Sequence, residues 1–161
     1  MKTKELTCMS MLISSIGALL LLDRMCGYVL ADMCPIFIVA CMLAYSKKYN
    51  RKNLFYLSLG ILFVGFLFGN AVSYIYFPVS IFVGYISSYK VSWKTMLFSF
   101  FAGELIVTFI LYPIFLSISP TLLFSGLMGV VWLLGYILSI FLISVLESIA
   151  TFIVCTKILK I

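Results

Sequence analysis

Six apolar stretches, at about 6–22, 28–46, 53–69, 71–89, 95–118 and 121–156, fill this chain and leave only short polar joints between them. A helix that crosses a bilayer needs about 20 consecutive apolar residues, and the first and fifth stretches meet that length directly. A water-soluble alternative fails on composition. The 161 residues are 65% hydrophobic and only 10% charged, with a mean hydropathy of +1.25, against about 45–50% apolar in an ordinary soluble domain. A soluble domain of this size cannot cover its surface with so little charge. The expectation is an all-α, polytopic integral membrane protein forming one transmembrane domain over 1–161.

Two stretches need interpretation. Asp32 and Pro35 interrupt the second, the weakest. Its helix is expected to start near Pro35, a residue suited to a first helical turn, with Asp32 near the positive end of the helix dipole. The last stretch is too long for one helix and barely enough for two, so 121–129, with Gly126 and Gly129, is read as an outer loop or half-helix. Six transmembrane helices result, at about 6–24, 33–46, 53–69, 71–89, 95–118 and 130–156.

Charge gives an independent check on this count. With the N-terminus placed inside, alternation leaves Lys2, Lys4, Lys47, Lys48, Arg51, Lys52, Lys90, Lys94, Lys157 and Lys160 inside and only Arg24 outside. That is the positive-inside pattern. A seventh helix would put Lys157 and Lys160 on the wrong side. N- and C-termini are therefore expected to be cytoplasmic, in a bacterial-type cytoplasmic membrane crossed several times. Tyr45, Tyr49, Tyr56, Tyr85, Tyr89 and Trp93 flank the inner boundary, and Tyr74, Tyr76 and Trp132 lie nearer the outer one, as interfacial rings do. The net charge of +6 is dispersed in these short clusters and forms no stripe, so nucleic acid is not an expected partner.

Lys2 and Lys4 before an apolar run imitate a signal peptide. The run ends Leu20-Leu21-Leu22-Asp23-Arg24, which offers no small-x-small cleavage site, so it is expected to remain as the first helix. There is no histidine, and Cys8, Cys26, Cys34, Cys41 and Cys155 lack paired metal spacing, so no metal site, cofactor or histidine-based catalysis is expected. Cys26 and Cys34 share an expected outer loop region and are able to pair there, though nothing in the sequence demands it. No phosphate-binding loop of the G-x-x-x-x-G-K-[ST] kind is present, so energy for active transport has to come from an ion gradient or a partner.

Glu104 and Glu147 are the acids that matter. Each is ten residues from a basic boundary residue, Lys94 and Lys157, which at 1.5 Å per residue is roughly 15 Å, near mid-bilayer. A charged acid there costs about 2.5–3.5 kcal/mol on insertion scales, so such residues face protein or water and are candidate functional groups. They fit a polar or cationic ligand, or a carboxyl hydrogen-bonding across helices. Asp32, Asn70, Trp132 and Tyr136 are the further candidates for an outer-side ligand site. Asp23 and Arg24 read as interfacial, and Asn70 also suits a turn. Pro78 and Pro113 can kink their helices. Small residues recur at Ser10, Ser14 and Ala18 and at Gly65 and Gly69. This spacing allows close helix approach in lipid, either within the chain or against another subunit.

The opening Lys4-Glu5-Leu6-Thr7 runs into the stripe Ser10-x-x-x-Ser14-x-x-x-Ala18. Further on, Leu67-Phe68-Gly69-Asn70 leads to Ile75-Tyr76-Phe77-Pro78-Val79-Ser80-Ile81-Phe82-Val83-Gly84-Tyr85. Together with the small six-helix size, these resemble the substrate-binding S components of energy-coupling-factor vitamin transporters. In that family a small-residue motif of Ala-x-x-x-Ala type on the first helix docks onto the coupling subunit; here serines replace two alanines. The resemblance implies a non-enzymatic capture subunit for a vitamin-like ligand. A transmembrane coupling subunit and two ABC-type ATPases would power it, with Ser10, Ser14 and Ala18 as the docking residues. The alternative is a membrane scaffold of the cell-wall elongation machinery, similar to MreD-type rod-shape proteins. An intramembrane enzyme using Glu104 and Glu147 as acid and base is a third class, which requires both carboxyls to reach one substrate position.

Overall fold

The computed structural model describes residues 3–26, 33–69, 71–111, 127–158 and 160, and within them all side chains except those of 71–75, 127–132 and 158. The described residues are helical throughout, with no strand among them. Six α-helices follow in order: α1 (Thr3–Met25), α2 (Cys34–Lys48), α3 (Leu54–Phe68), α4 (Ala71–Ser87), α5 (Trp93–Ile106) and α6 (Leu127–Ile153). A π-helical turn extends α5 over Val107–Leu111, and another extends α6 over Val154–Ile158.

Among the described residues, four segments are long and apolar enough to cross a membrane: Thr3–Met25, Arg51–Phe68, Trp93–Leu111 and Leu133–Lys157. The chain is thus an apolar helical bundle of membrane-embedded character. α6 starts at Leu127, so Gly129 lies inside a helix and the expected start at residue 130 is extended by three residues. Residues 112–126, including Pro113 and Gly126, lie outside the described set, whereas Pro78 sits within α4.

Local signals set the helix starts. Pro35 occupies the first turn of α2, where a missing N–H costs nothing. Ser92 caps α5: its Oγ accepts from the Thr95 backbone N–H at 3.2 Å and lies 2.9 Å from the Thr95 hydroxyl. Asn50 caps the turn before α3, its Oδ1 accepting from the Lys52 N–H at 3.0 Å.

The helix weakest in sequence is the most enclosed in space. Six successive residues of α2, Ile38 to Leu43, are buried, which takes in every side of the helix. α1, α3, α4 and α6 all pack on it. At fifteen residues α2 is about 22 Å long, short of a hydrocarbon core of about 30 Å. Enclosure by longer helices removes the need for it to span the core alone.

α2 also divides the core. Ile38, Cys41, Met42 and Tyr45 join a cluster with Met9, Ile16 and Leu20 of α1 and Leu54, Leu57 and Ile61 of α3. Val39, Ala40 and Leu43 join a second cluster with Val83 of α4, Met96 and Phe100 of α5 and Cys155 beyond α6. Lipid is as apolar as leucine, so helices associate through close packing rather than through the hydrophobic effect. Glycines supply that approach. Gly17 of α1 meets Val64 of α3, Gly60 of α3 meets Ile13 of α1, and Gly65 of α3 meets Phe77 of α4. Gly84 of α4 faces Met42 of α2, and Gly103 of α5 faces Val79 and Val83 of α4. Of the glycine pair noted in sequence, Gly65 therefore serves packing, and Gly69 ends α3, donating to the Gly65 carbonyl at 2.8 Å.

Candidate functional site

Buried polar side chains concentrate in one half of the bundle. Asp23 and Ser58 aside, every buried polar or charged residue described lies on α4, α5 or α6 or, for Ser88, directly after α4, from Ser80 to Thr151. The α1–α3 half has an apolar core instead.

Glu104 is 9% exposed on α5. At 100° per residue it falls on the arc between Gly103, which meets α4, and Phe101, whose ring stands edge-on to Phe141 of α6 with centroids 5.7 Å apart. Glu104 therefore sits on the side of α5 turned toward α6. Glu147, 8% exposed, shares one face of α6 with Ile140, Ser144, Ser148, Thr151 and Cys155, all buried. Tyr136 stands on the same face three turns earlier, roughly 16 Å along the helix, and is 50% exposed. The face thus runs from a half-exposed phenol, past a carboxyl, to the basic end of the bundle.

The hydroxyls around these acids are of two kinds. Ser99 donates to the Thr95 carbonyl at 2.8 Å, Ser144 to Ile140 at 2.9 Å and Ser148 to Val145 at 2.9 Å. Ser80 of α4 and Ser88 just after it do likewise, to Tyr76 and Tyr85. Their protons are satisfied within their own helices, which leaves oxygen lone pairs as acceptors. The buried hydroxyls of Ser87 and Thr151 have no hydrogen-bond partner and remain available as donors. Such a lining suits a polar or cationic group held between helices. No three His, Cys, Asp or Glu residues come together as a metal site among the described residues.

Of the other residues picked from sequence, Asp32 and Asn70 lie outside the described residues. Trp132 falls within α6, but its side chain is outside the described set. Ser10, Ser14 and Ala18 are all exposed on the outer flank of α1, away from Ile13, Ile16 and Gly17, which pack inward. Cys26 is exposed and Cys34 buried, and no disulfide joins them.

Two features escaped the sequence. Asp23 is 2% exposed, a buried acid where an interfacial one was expected. The serines of α4–α6 also gave no signal, because a lone serine in an apolar run is indistinguishable from a packing residue until its face is known.

At the opposite end from Asp23 the basic residues gather. Lys47 donates to the Lys160 carbonyl at 3.1 Å, and the Arg51 guanidinium lies 5.2 Å from the centre of the Tyr89 ring. Tyr49 donates to the Lys4 carbonyl at 3.4 Å, and Asn53 to Glu5 Oε2 at 3.3 Å. The N-terminal end of α1, the α2–α3 and α4–α5 links, and the C-terminal segment thus meet at one end. Comparison with protein-family models, curated proteins and solved structures finds no match.

Proposed function

We propose that this chain is the membrane-embedded substrate-capture subunit of an energy-coupling-factor type importer, binding a vitamin or comparable micronutrient. In this account all six helices span the cytoplasmic membrane, with the basic end and both termini on the cytoplasmic side. The ligand enters from the opposite side and is held by the α4–α6 half, with Glu104, Glu147 and Tyr136 nearest to it. A coupling membrane subunit and two ABC-type ATPases supply the energy that this chain has no motif to generate.

The observation that carries the proposal is the direction of the Ser10-Ser14-Ala18 stripe. A stripe used for internal packing would be buried, as Gly17 is; this one is exposed. Ser10 donates to the Leu6 carbonyl at 3.0 Å, and the neighbouring Thr7 and Ser15 donate to Thr3 and Met11. At these three positions a second helix can approach closely without stranding a hydroxyl in lipid. The buried acids and hydroxyls of α4–α6 support the capture role, because intramembrane acids are rare and mark substrate and ion pathways.

The test is a mild-detergent pull-down of tagged protein from its native membrane, with partners identified by mass spectrometry. Recovery of two ABC-type ATPases with a coupling membrane protein is the expected result. Recovery of cell-wall synthesis proteins instead would replace the importer with the MreD-like scaffold.

A further inference from the structure

We infer that the basic end of the bundle clamps the headgroup phosphate of an anionic phospholipid at the junction of Arg51 and Tyr89. The inference rests on membrane embedding and is independent of transport.

Arg51, in the link between α2 and α3, lies against the Tyr89 ring, and its Nη2 is 3.5 Å from the Tyr89 carbonyl oxygen. That contact holds the α2–α3 and α4–α5 links side by side. It also sets Lys52 and Lys90, each next in sequence to one partner and both exposed, about a common point. A guanidinium has five N–H donors in a planar fork matched to phosphate, and the Tyr89 contact engages at most a small part of them. Glu5 is the acid nearest this end among the described residues, and Asn53 already donates to it. Among the described residues the junction therefore concentrates positive charge with no acid of its own to balance it. Like charges held together repel, and an anion of the surroundings relieves that repulsion.

Position selects a lipid over a free anion. Tyr89 at the junction, and Tyr56 and Trp93 about one helical turn along the chain from Arg51 and Tyr89, are exposed, as rings at headgroup level are. Below them, Phe55 of α3 and Phe98 of α5 present exposed apolar surface on which acyl chains can lie. A basic cluster directly at the end of membrane helices is the arrangement that attracts anionic lipid.

The test compares native mass spectrometry of the purified full chain in detergent with phosphatidylglycerol and with phosphatidylcholine of identical acyl chains. Phosphatidylglycerol adducts are expected to survive to several-fold higher collision energy or lower lipid concentration. The Arg51→Gln/Lys52→Gln/Lys90→Gln variant is expected to lose at least about fivefold in that retention, the scale of a single basic contact at a membrane surface. Arg24→Gln, at the other end, is expected to leave it unchanged. Because the triple variant can fail to fold, the wild-type chain supplies a second readout: phosphatidylglycerol raises its melting temperature and phosphatidylcholine does not. Equal retention of the two lipids, equal retention by a folded triple variant, or equal protection by inorganic phosphate would each overturn the inference.

Discussion

The ring of Phe77 on α4 lies directly against Gly65 on α3, so that a β-carbon at Gly65 would overlap the ring edge. Phe77 is itself buried and cannot swing outward. Gly65→Leu is therefore expected to push α3 and α4 apart and to cost about 1–3 kcal/mol, the usual scale of overpacking. Gly135 on α6 meets nothing within 4 Å where a β-carbon would stand, so Gly135→Ala is expected to leave stability unchanged or slightly raised. Thermal unfolding of the two variants in detergent checks the contrast. Equal melting temperatures would mean that the α3–α4 contact is not as close as described.

Glu104 and Glu147 lie on α5 and α6, which carry half of the buried serine and threonine hydroxyls among the described residues. Glu104→Gln and Glu147→Gln keep shape and hydrogen-bonding capacity while removing the charge, so both variants are expected to fold. If the acids meet the captured ligand, at least one substitution lowers its affinity tenfold or more, the scale of about 1.4 kcal/mol. Titration of the ligand recovered from native membranes measures this. Unchanged affinity in both variants would remove the carboxyls from the site and leave them as packing groups.

The all-helical, membrane-embedded character was readable from sequence because lipid imposes an apolar length, and Pro35 marks the start of α2. Which face of each helix turns inward was not. In water, polar outer faces reveal the buried side; here Leu59, Phe63 and Phe66 on the outside of α3 are as apolar as Leu57 and Ile61 within. For the same reason α2, broken by Asp32 and Pro35, looked marginal, although enclosure makes it the centre of the bundle. The acids Glu104 and Glu147 stood out because charge is rare in such runs. Their hydroxyl neighbours did not, because a serine that donates to its own helix is tolerated anywhere in it.

Cys26 is exposed near the end of α1, whereas Cys34, Cys41 and Cys155 are buried. With the basic end cytoplasmic, a membrane-impermeant maleimide applied to intact cells is expected to label Cys26, and Cys26→Ser is expected to abolish that label. A cysteine placed by Lys52→Cys should react only after permeabilisation. Labelling of the Lys52→Cys variant in intact cells, beyond that of Cys26, would invert the proposed topology.

Asn53 fastens the start of α3 to the first turn of α1 through its 3.3 Å bond to Glu5. Both groups are partly exposed, so the bond is worth little more than an ordinary one, about 0.5–1.5 kcal/mol. Asn53→Ala is expected to lower stability by that amount and to speed amide exchange in the first turn of α1. Hydrogen exchange of the N-terminal peptide reports it, and unaltered exchange would show that α1 is held at this end by packing alone.

The central claim is that α1 docks a coupling subunit through the flank that carries Ser10, Ser14 and Ala18. A photo-crosslinking residue placed at Ser14, with Gly17 as the inward-facing control, tests it directly in native membranes. The account predicts that the Ser14 probe captures one membrane protein, that this protein co-purifies with two ABC-type ATPases, and that the Gly17 probe captures none. Capture of no protein from Ser14, in a chain that is folded and inserted, would contradict it.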